Sequence, residues 1–205
     1  MSFYWILLLP AAYIIGSIPF GSIISRKIAS IDITDRGSGN IGATNVAREL
    51  GLKWGIVTLI LDLLKGFIPV YLVTYHIILG NIGLILVCIS SLLGHQFSIF
   101  LKFRGGKGVA TAAGIFLALS PDSLLIAIAI FILTIYLSDI VSAGSMIATC
   151  SMPIILFLLG KSFYLIIASF IMAVMICVAH KDNIKRILKG EERKWRNRIS
   201  RKQIE

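Results

Sequence analysis

The chain has 205 residues, 57% of them apolar and only 15% charged, well outside the balance of soluble domains, where roughly a quarter of residues are charged. Lys and Arg outnumber Asp and Glu 20 to 10, for a formal net charge of +10. These figures exclude an ordinary soluble domain. They predict an all-α polytopic membrane protein, one domain over 1–205, because backbone polar groups in lipid must be satisfied within their own segment.

Seven transmembrane helices are predicted, at about 3–24, 53–75, 78–94, 109–120, 123–138, 143–160 and 162–180, from apolar runs that reach or approach the roughly 17–25 residues that cross a bilayer. The first run is not expected to be a cleaved signal, since Met1-Ser2 offers no basic stretch and the run is too long. The fourth is the shortest. At a rise of 1.5 Å per residue it covers only about 18 Å, so it borrows from its flanks or enters the membrane from a site partly open to water. Cys88, Cys150 and Cys177 lie singly in apolar runs, are expected to be small buried hydrophobes, and have no disulfide or metal-ligand spacing.

The basic residues orient the chain. Five lie in positions 25–53 and three at 102–107, ten follow His180, and only Lys65 and Lys161 lie elsewhere. In a seven-span chain the three clusters share one face. The positive-inside rule then puts the N-terminus outside and the C-terminus in the cytoplasm. The charge reads as a cytoplasmic collar for anionic headgroups, largest in the tail at about 181–205, and needs no nucleic-acid partner. Arg198, far along that tail, is expected to be a screened headgroup contact.

Three polar segments fall on the same face. The first, Asp35-Arg36-Gly37-Ser38-Gly39-Asn40-Ile41-Gly42-Ala43-Thr44-Asn45-Val46-Ala47-Arg48, concentrates glycines, hydroxyls and amides in an otherwise apolar chain. Glycines let N–H groups approach an anion, and Arg48 can supply a forked charge for a phosphate. The second is Gly94–Thr111, whose Gly105-Gly106-Lys107-Gly108 run precedes a helix, so N–H groups, the helix dipole and a lysine could converge on one anion. It is not a Walker A loop, because Gly108 stands where Ser or Thr is needed. A plain turn between spans is the other reading, and Lys102 and Arg104 read as headgroup anchors. The third is the start of the tail at His180–Lys194, where His180 and Asn183, if helical, share a face; a histidine at a span end also reads as a plain interface residue. Within the second span, Asp62 and Lys65 are spaced to pair and to face the bundle, supporting the site.

Two signatures of lipid acyl transfer are absent. No His is followed five positions later by Asp: Asn81, Phe100 and Lys185 stand there. No Gly-x-Ser-x-Gly elbow surrounds Ser38, since Arg36 takes the first glycine's place. The residues alone lead to a membrane protein that binds a phosphorylated ligand on the cytoplasmic side. A transporter or exchanger of phosphorylated solutes is the alternative, although the spans show no internal duplication. A purely structural protein is weaker, given the cost of so much polar loop.

At these segments the sequence resembles the bacterial acyl-phosphate:glycerol-3-phosphate acyltransferases, the PlsY family. The matching text is Gly16-Ser17-Ile18-Pro19-Phe20-Gly21, Arg36-Gly37-Ser38-Gly39-Asn40, Thr44-Asn45-Val46 and Arg48, followed by Asp62-Leu63-Leu64-Lys65-Gly66. Next come Gly94-His95, Ser98, Phe100-Leu101 and Gly105 to Thr111. Last are His180, Asn183-Ile184, Arg186, Gly190 and Glu192. The blocks run in family order over nearly the whole chain. Departures are Arg104 for the usual lysine, Ile187 for a frequent leucine, and Asp139 for a commonly basic residue before the Ser142 and Ser145 pair.

The resemblance implies a multi-pass enzyme of the bacterial cytoplasmic (inner) membrane with its active site facing the cytoplasm. It would transfer a fatty acyl group from acyl phosphate to the 1-hydroxyl of sn-glycerol 3-phosphate, giving lysophosphatidic acid and phosphate without cofactor or metal. Ser38, Arg48, Lys107, His180 and Asn183 are implied as catalytic. Gly39, Asn40, Thr44, Asn45, Gly105, Gly106, Gly108, Ser142, Ser145 and Glu192 are implied as substrate-binding. Arg48 and Lys107 would hold phosphate and stabilise charge, with Ser38 and Asn183 orienting substrate. Either His180 or a phosphate oxygen of the donor would take the proton. Membrane lipid and the upstream enzyme that makes acyl phosphate are the implied partners.

Overall fold

A computed structural model describes residues 5–77 and 79–196. Residues 1–4, with Ser2, and the tail from 197 onward, with Arg198, lie outside the described residues. Every regular element among the described residues is helical. In chain order the α-helices are α1 Trp5–Ser17, α2 Phe20–Ala29, α3 Ala43–Leu50, α4 Leu52–His76, α5 Gly80–Gln96, α6 Val109–Leu119, α7 Pro121–Ser138, α8 Val141–Leu158, α9 Phe163–Ala179 and α10 Lys181–Leu188. Short 3-10 turns occupy Ile33–Asp35 and Ile99–Leu101.

Five segments are long and apolar enough to cross a membrane: Leu7–Ala29, Leu52–His76, Gly80–Leu101, Pro121–Ser138 and Val141–Leu158. The pair α9 and α10, bent by 61°, makes a sixth if counted as one span, and α6 is apolar but shorter. The first apolar run therefore does not stop at residue 24, as the hydropathy pattern had it, but continues as a broken helix to Ala29. Large apolar side chains such as Ile132, Leu133, Phe157 and Phe170 point outward, as they do where the surroundings are hydrocarbon rather than water.

The chain forms two compact units, Met1–Pro121 and Asp122–Glu205. In the first, α1 meets α5 backbone to backbone: a Cβ on Gly16 would strike the Ser91 carbonyl, and one on Gly94 the Tyr13 carbonyl. The same happens between α4 and α6, where Gly66 faces the Thr111 carbonyl and Gly114 that of Leu63. Small residues at such crossings replace the hydrophobic drive that lipid removes. The break between α1 and α2 follows from Pro19, which has no N–H and pushes Ile18 out of the helical region. The Ile18 carbonyl accepts a 2.8 Å hydrogen bond from Lys65 Nζ. Lys65 is itself paired with Asp62 at 2.8 Å, both side chains only 2% exposed.

In the second unit α8 packs on α9, and Gly144 of α8 admits Phe131 and Ile135 of α7. The burial expected of the cysteines holds for Cys88 alone. Cys150 on α8 is exposed, Cys177 on α9 is half-buried, and their sulfurs lie 3.4 Å apart. An apolar run does not reveal which of its faces looks outward, and Cys150 is on that face.

Candidate active site

The first polar segment is a loop folded around one side chain. Asn45, in the first turn of α3, is 2% exposed. Its carboxamide oxygen accepts the Ser38 N–H at 2.9 Å, and its NH2 donates to the carbonyls of Ile33 (3.3 Å), Arg36 (3.0 Å) and Asn40 (2.9 Å). The turn needs Gly37 and Gly39 at φ +58° and +69°, a region that side chains rarely enter. A Cβ on Gly37 would also run into Asn45 and Glu49. The Asn40 side chain accepts the Gly42 N–H at 2.9 Å and so closes the entry to α3. Beneath the loop Ile33, Ile41 and Val46 form a buried apolar knot against Leu50, Trp54 and Leu101. At its edge Asp32 caps the 3-10 turn through Thr34 and pairs with Arg26 at 2.6 Å. Hydrogen bonds from Arg26 and Thr34 hold the Asp32 carboxyl at about 2. The result presents Ser38 and Gly39 on the surface, with Thr44 and Arg48 half-buried on α3.

The Gly105-Gly106-Lys107-Gly108 segment is seated differently from the expectation. The Gly105 and Gly106 N–H groups, expected to face an anion, donate instead to the carbonyls of Gln96 and His95, each at 3.0 Å. Gln96 Nε2 donates to the Lys107 carbonyl at 3.0 Å. Gly106 packs against the His95 ring, where a Cβ would clash, and Gly108 enters α6 at φ +88°. The glycines bring the chain close enough to α5 to be tied down, which sets the stem of Lys107. His95 is buried and its Nδ1 lies 3.9 Å from Asp62 Oδ1. The buried pair Asp62 and Lys65 thus stands behind this loop. The pair was legible in the sequence, but His95 was not singled out, although the motif carries it beside Gly94.

In the second unit His180 sits at the bend between α9 and α10, 1% exposed. Its Nδ1 is 2.8 Å from the Ile176 carbonyl. A carbonyl only accepts, so the proton is on Nδ1 and a neutral ring carries its lone pair on Nε2. Asn183, one turn on, donates its amide to Glu192 Oε1 at 2.5 Å. Glu192 also accepts from the Ser142 hydroxyl at 2.7 Å and from Arg186 Nε at 2.7 Å. Burial pushes the Glu192 carboxyl up, but the hydrogen bonds from Ser142, Asn183 and Arg186 outweigh it and leave the group below the usual range. Ser145 bonds back to the Val141 carbonyl of its own helix at 3.0 Å. Ser142 and Glu192, grouped with substrate contacts by resemblance, are engaged with each other here. The spacing could not have shown this, because they lie 50 positions apart.

The family model described as glycerol-3-phosphate acyltransferase matches residues 6–190. The chain belongs to that family. A glycerol-3-phosphate acyltransferase of Desulfotalea psychrophila is 43% identical over 190 residues, 91% of this chain and 96% of that one. A family member from Fusobacterium nucleatum is 43% identical over 196 residues, 96% of this chain and all (100%) of that protein. Among solved structures, PlsY, an integral membrane glycerol 3-phosphate acyltransferase, superposes in its glycerol 3-phosphate form with a TM-score of 0.88 at 37% identity, covering 94% of this chain and 96% of the other. Its lysophosphatidic acid form gives 0.86 at 36% identity.

Proposed function

We propose that this protein is a bacterial inner-membrane acyltransferase that moves a fatty acyl group from acyl phosphate to the 1-hydroxyl of sn-glycerol 3-phosphate, releasing lysophosphatidic acid and phosphate. The observation that carries the reading is the match, over 94% of the chain, to a solved acyltransferase in its glycerol 3-phosphate form. The chain would act as one catalytic domain of seven spans, N-terminus outside, with its site open to the cytoplasm and acyl phosphate handed on by the enzyme that makes it.

The chemistry asks little beyond placement. Acyl phosphate is already activated and phosphate is a competent leaving group, so neither a covalent serine nor a metal is needed. The 1-hydroxyl oxygen attacks the acyl carbon, the carbon–oxygen bond to phosphate breaks, and the hydroxyl proton passes to His180 Nε2 or to a phosphate oxygen. Arg48 and Lys107 hold phosphate and the developing negative charge. Ser38 and Asn183 orient the substrate. Asn45, Gly105, Gly106, Ser142, Ser145 and Glu192 serve by shaping these segments, while Gly39, Asn40, Thr44 and Gly108 border the ligand.

Purified protein in bilayers, given acyl phosphate and glycerol 3-phosphate, should form lysophosphatidic acid and phosphate in equal amounts. Comparable turnover with acyl-CoA as sole donor overturns the choice of donor. Exchange of glycerol 3-phosphate across vesicles without acylation overturns the enzyme. Labelling of Gln203→Cys from outside intact cells overturns the topology.

A further inference from the structure

We propose that Asp139 is a positioning residue for the His180 and Asn183 centre: it clasps the chain that follows α10, and so keeps Glu192 seated against Asn183. The proposal rests on the catalytic reading above. Asp139 lies between α7 and α8 at φ +60°, a left-handed conformation that Asp and Asn tolerate better than other side chains. In it the residue offers two acceptors side by side. Its carbonyl takes the Trp195 N–H at 2.9 Å and its carboxylate takes the Arg196 N–H at 3.0 Å. The Arg196 guanidinium reinforces the contact, donating to the Tyr136 carbonyl at 3.1 Å and lying 5.6 Å from the centre of the Tyr136 ring. Its Nε stands 3.9 Å from the Asp139 carboxylate.

Ser142, the partner of Glu192, lies three positions after Asp139 on the same junction. The chain that returns from α10 is therefore pinned twice to one place, by Glu192 on Ser142 and by Trp195 and Arg196 on Asp139. Between the pins it has no helix or strand, so each pin bears the ordering entropy of irregular chain. Glu192 in turn holds the Asn183 amide and Arg186. Loss of the clasp leaves Glu192 held on its C-terminal side by its side-chain contacts, with the backbone before it still tied to α10 through the Glu191 N–H on the Arg186 carbonyl at 2.8 Å. A basic residue at 139 would face Arg196, whose Nε now stands 3.9 Å from the Asp139 carboxylate, and push it away.

The test uses the full chain in bilayers with two readouts. Amide hydrogen exchange at Trp195 and Arg196 should quicken at least about tenfold in Asp139→Lys and stay within about threefold in Asp139→Asn, which keeps both acceptors. In acyl transfer, Asp139→Lys should lower kcat about tenfold with the acyl phosphate KM within about twofold, and Asp139→Asn should restore most of it. In a Glu192→Ala background, which removes the acceptor for Asn183 and Ser142, Asp139→Lys should cost less than about twofold more, because the two act through one contact. Losses that multiply fully, an Asn variant as impaired as the Lys one, or unchanged exchange would each overturn the clasp. Should Asp139→Lys fail to fold, Arg196→Pro deletes the donor from the other side and is judged by amide exchange at Trp195 and by kcat. A wild-type chain without acyl transfer would defeat the proposed function, while the exchange measurement would still decide the clasp.

Discussion

The loop before α3 and the segment after α10 are both irregular chain drawn around one polar side chain, Asn45 in the first and Glu192 in the second. Asn45 is neutral and mostly donates, gathering three carbonyls and one N–H of its own loop. Glu192 is anionic and only accepts, gathering an amide and a guanidinium from α10 and a hydroxyl from α8. A neutral centre of this kind fails when its shape changes; a charged one also fails when it is protonated or loses its cation. The two segments should therefore respond differently to pH and to isosteric substitution.

The largest effect is expected where the first loop delivers its charge. Charge-assisted hydrogen bonds of a guanidinium to phosphate are worth about 1.5–3 kcal/mol each, so losing two in Arg48→Ala should lower kcat/KM roughly a hundred- to ten-thousand-fold. Arg48→Lys should recover little, because a point charge does not reproduce the fork. Steady-state kinetics on folded, monodisperse protein checks both.

Next comes the neutral centre itself. Asn45→Asp preserves volume but cannot donate to the carbonyls of Ile33, Arg36 and Asn40, and each group left buried without a partner costs about 1–3 kcal/mol. Activity should fall at least about tenfold where the new carboxyl is ionised, with a lowered thermal midpoint. An active Asn45→Asp protein would break the contrast between the two centres.

Glu192→Gln keeps the shape and the acceptor for Ser142 and Asn183 but gives up the charge toward Arg186, so a milder loss of about three- to tenfold in kcat is expected. Acid should mimic it. The Glu192 carboxyl is depressed in the folded chain, so its contribution is intact above the ordinary value of 4.5 and is lost as pH falls through the lower folded value. Protection of the 191–196 amides against exchange should fall over that window while protection around Asn45 does not. The smallest effect is that of the exposed Arg26–Asp32 pair, where Asp32→Asn should leave turnover within about twofold at pH 7.

Much of this was readable in the sequence. The long helices followed from their apolar runs, the polar loops from their glycines, and the Asp62 and Lys65 pair from its spacing. What escaped was the direction in which polar groups are spent. Asn45, Ser142 and Glu192 stood in the right motifs, yet a motif does not say whether an amide or hydroxyl faces a ligand or the chain's own backbone. The Gly105 and Gly106 N–H groups went to carbonyls of Gln96 and His95 for the same reason: backbone hydrogen bonds must be closed first. Asp139 was visible only as a departure from family usage, because its partners Trp195 and Arg196 lie more than 50 positions away.

The contact between Lys65 and the Ile18 carbonyl bears on how the protein is made. A lysine at the middle of a lone helix costs about 2.5–3.5 kcal/mol to insert, but Asp62 travels on the same helix and is in reach as that helix forms, whether or not α1 and α2 have docked on it. The helix α4 can thus leave the insertion machinery already neutralised, and Ile18 becomes its partner only when the helices assemble. Asp62 then acts first as an escort for Lys65 during biogenesis. Its removal should show up as poor insertion of the 52–76 segment, measured by glycosylation mapping, before any catalytic defect can be read.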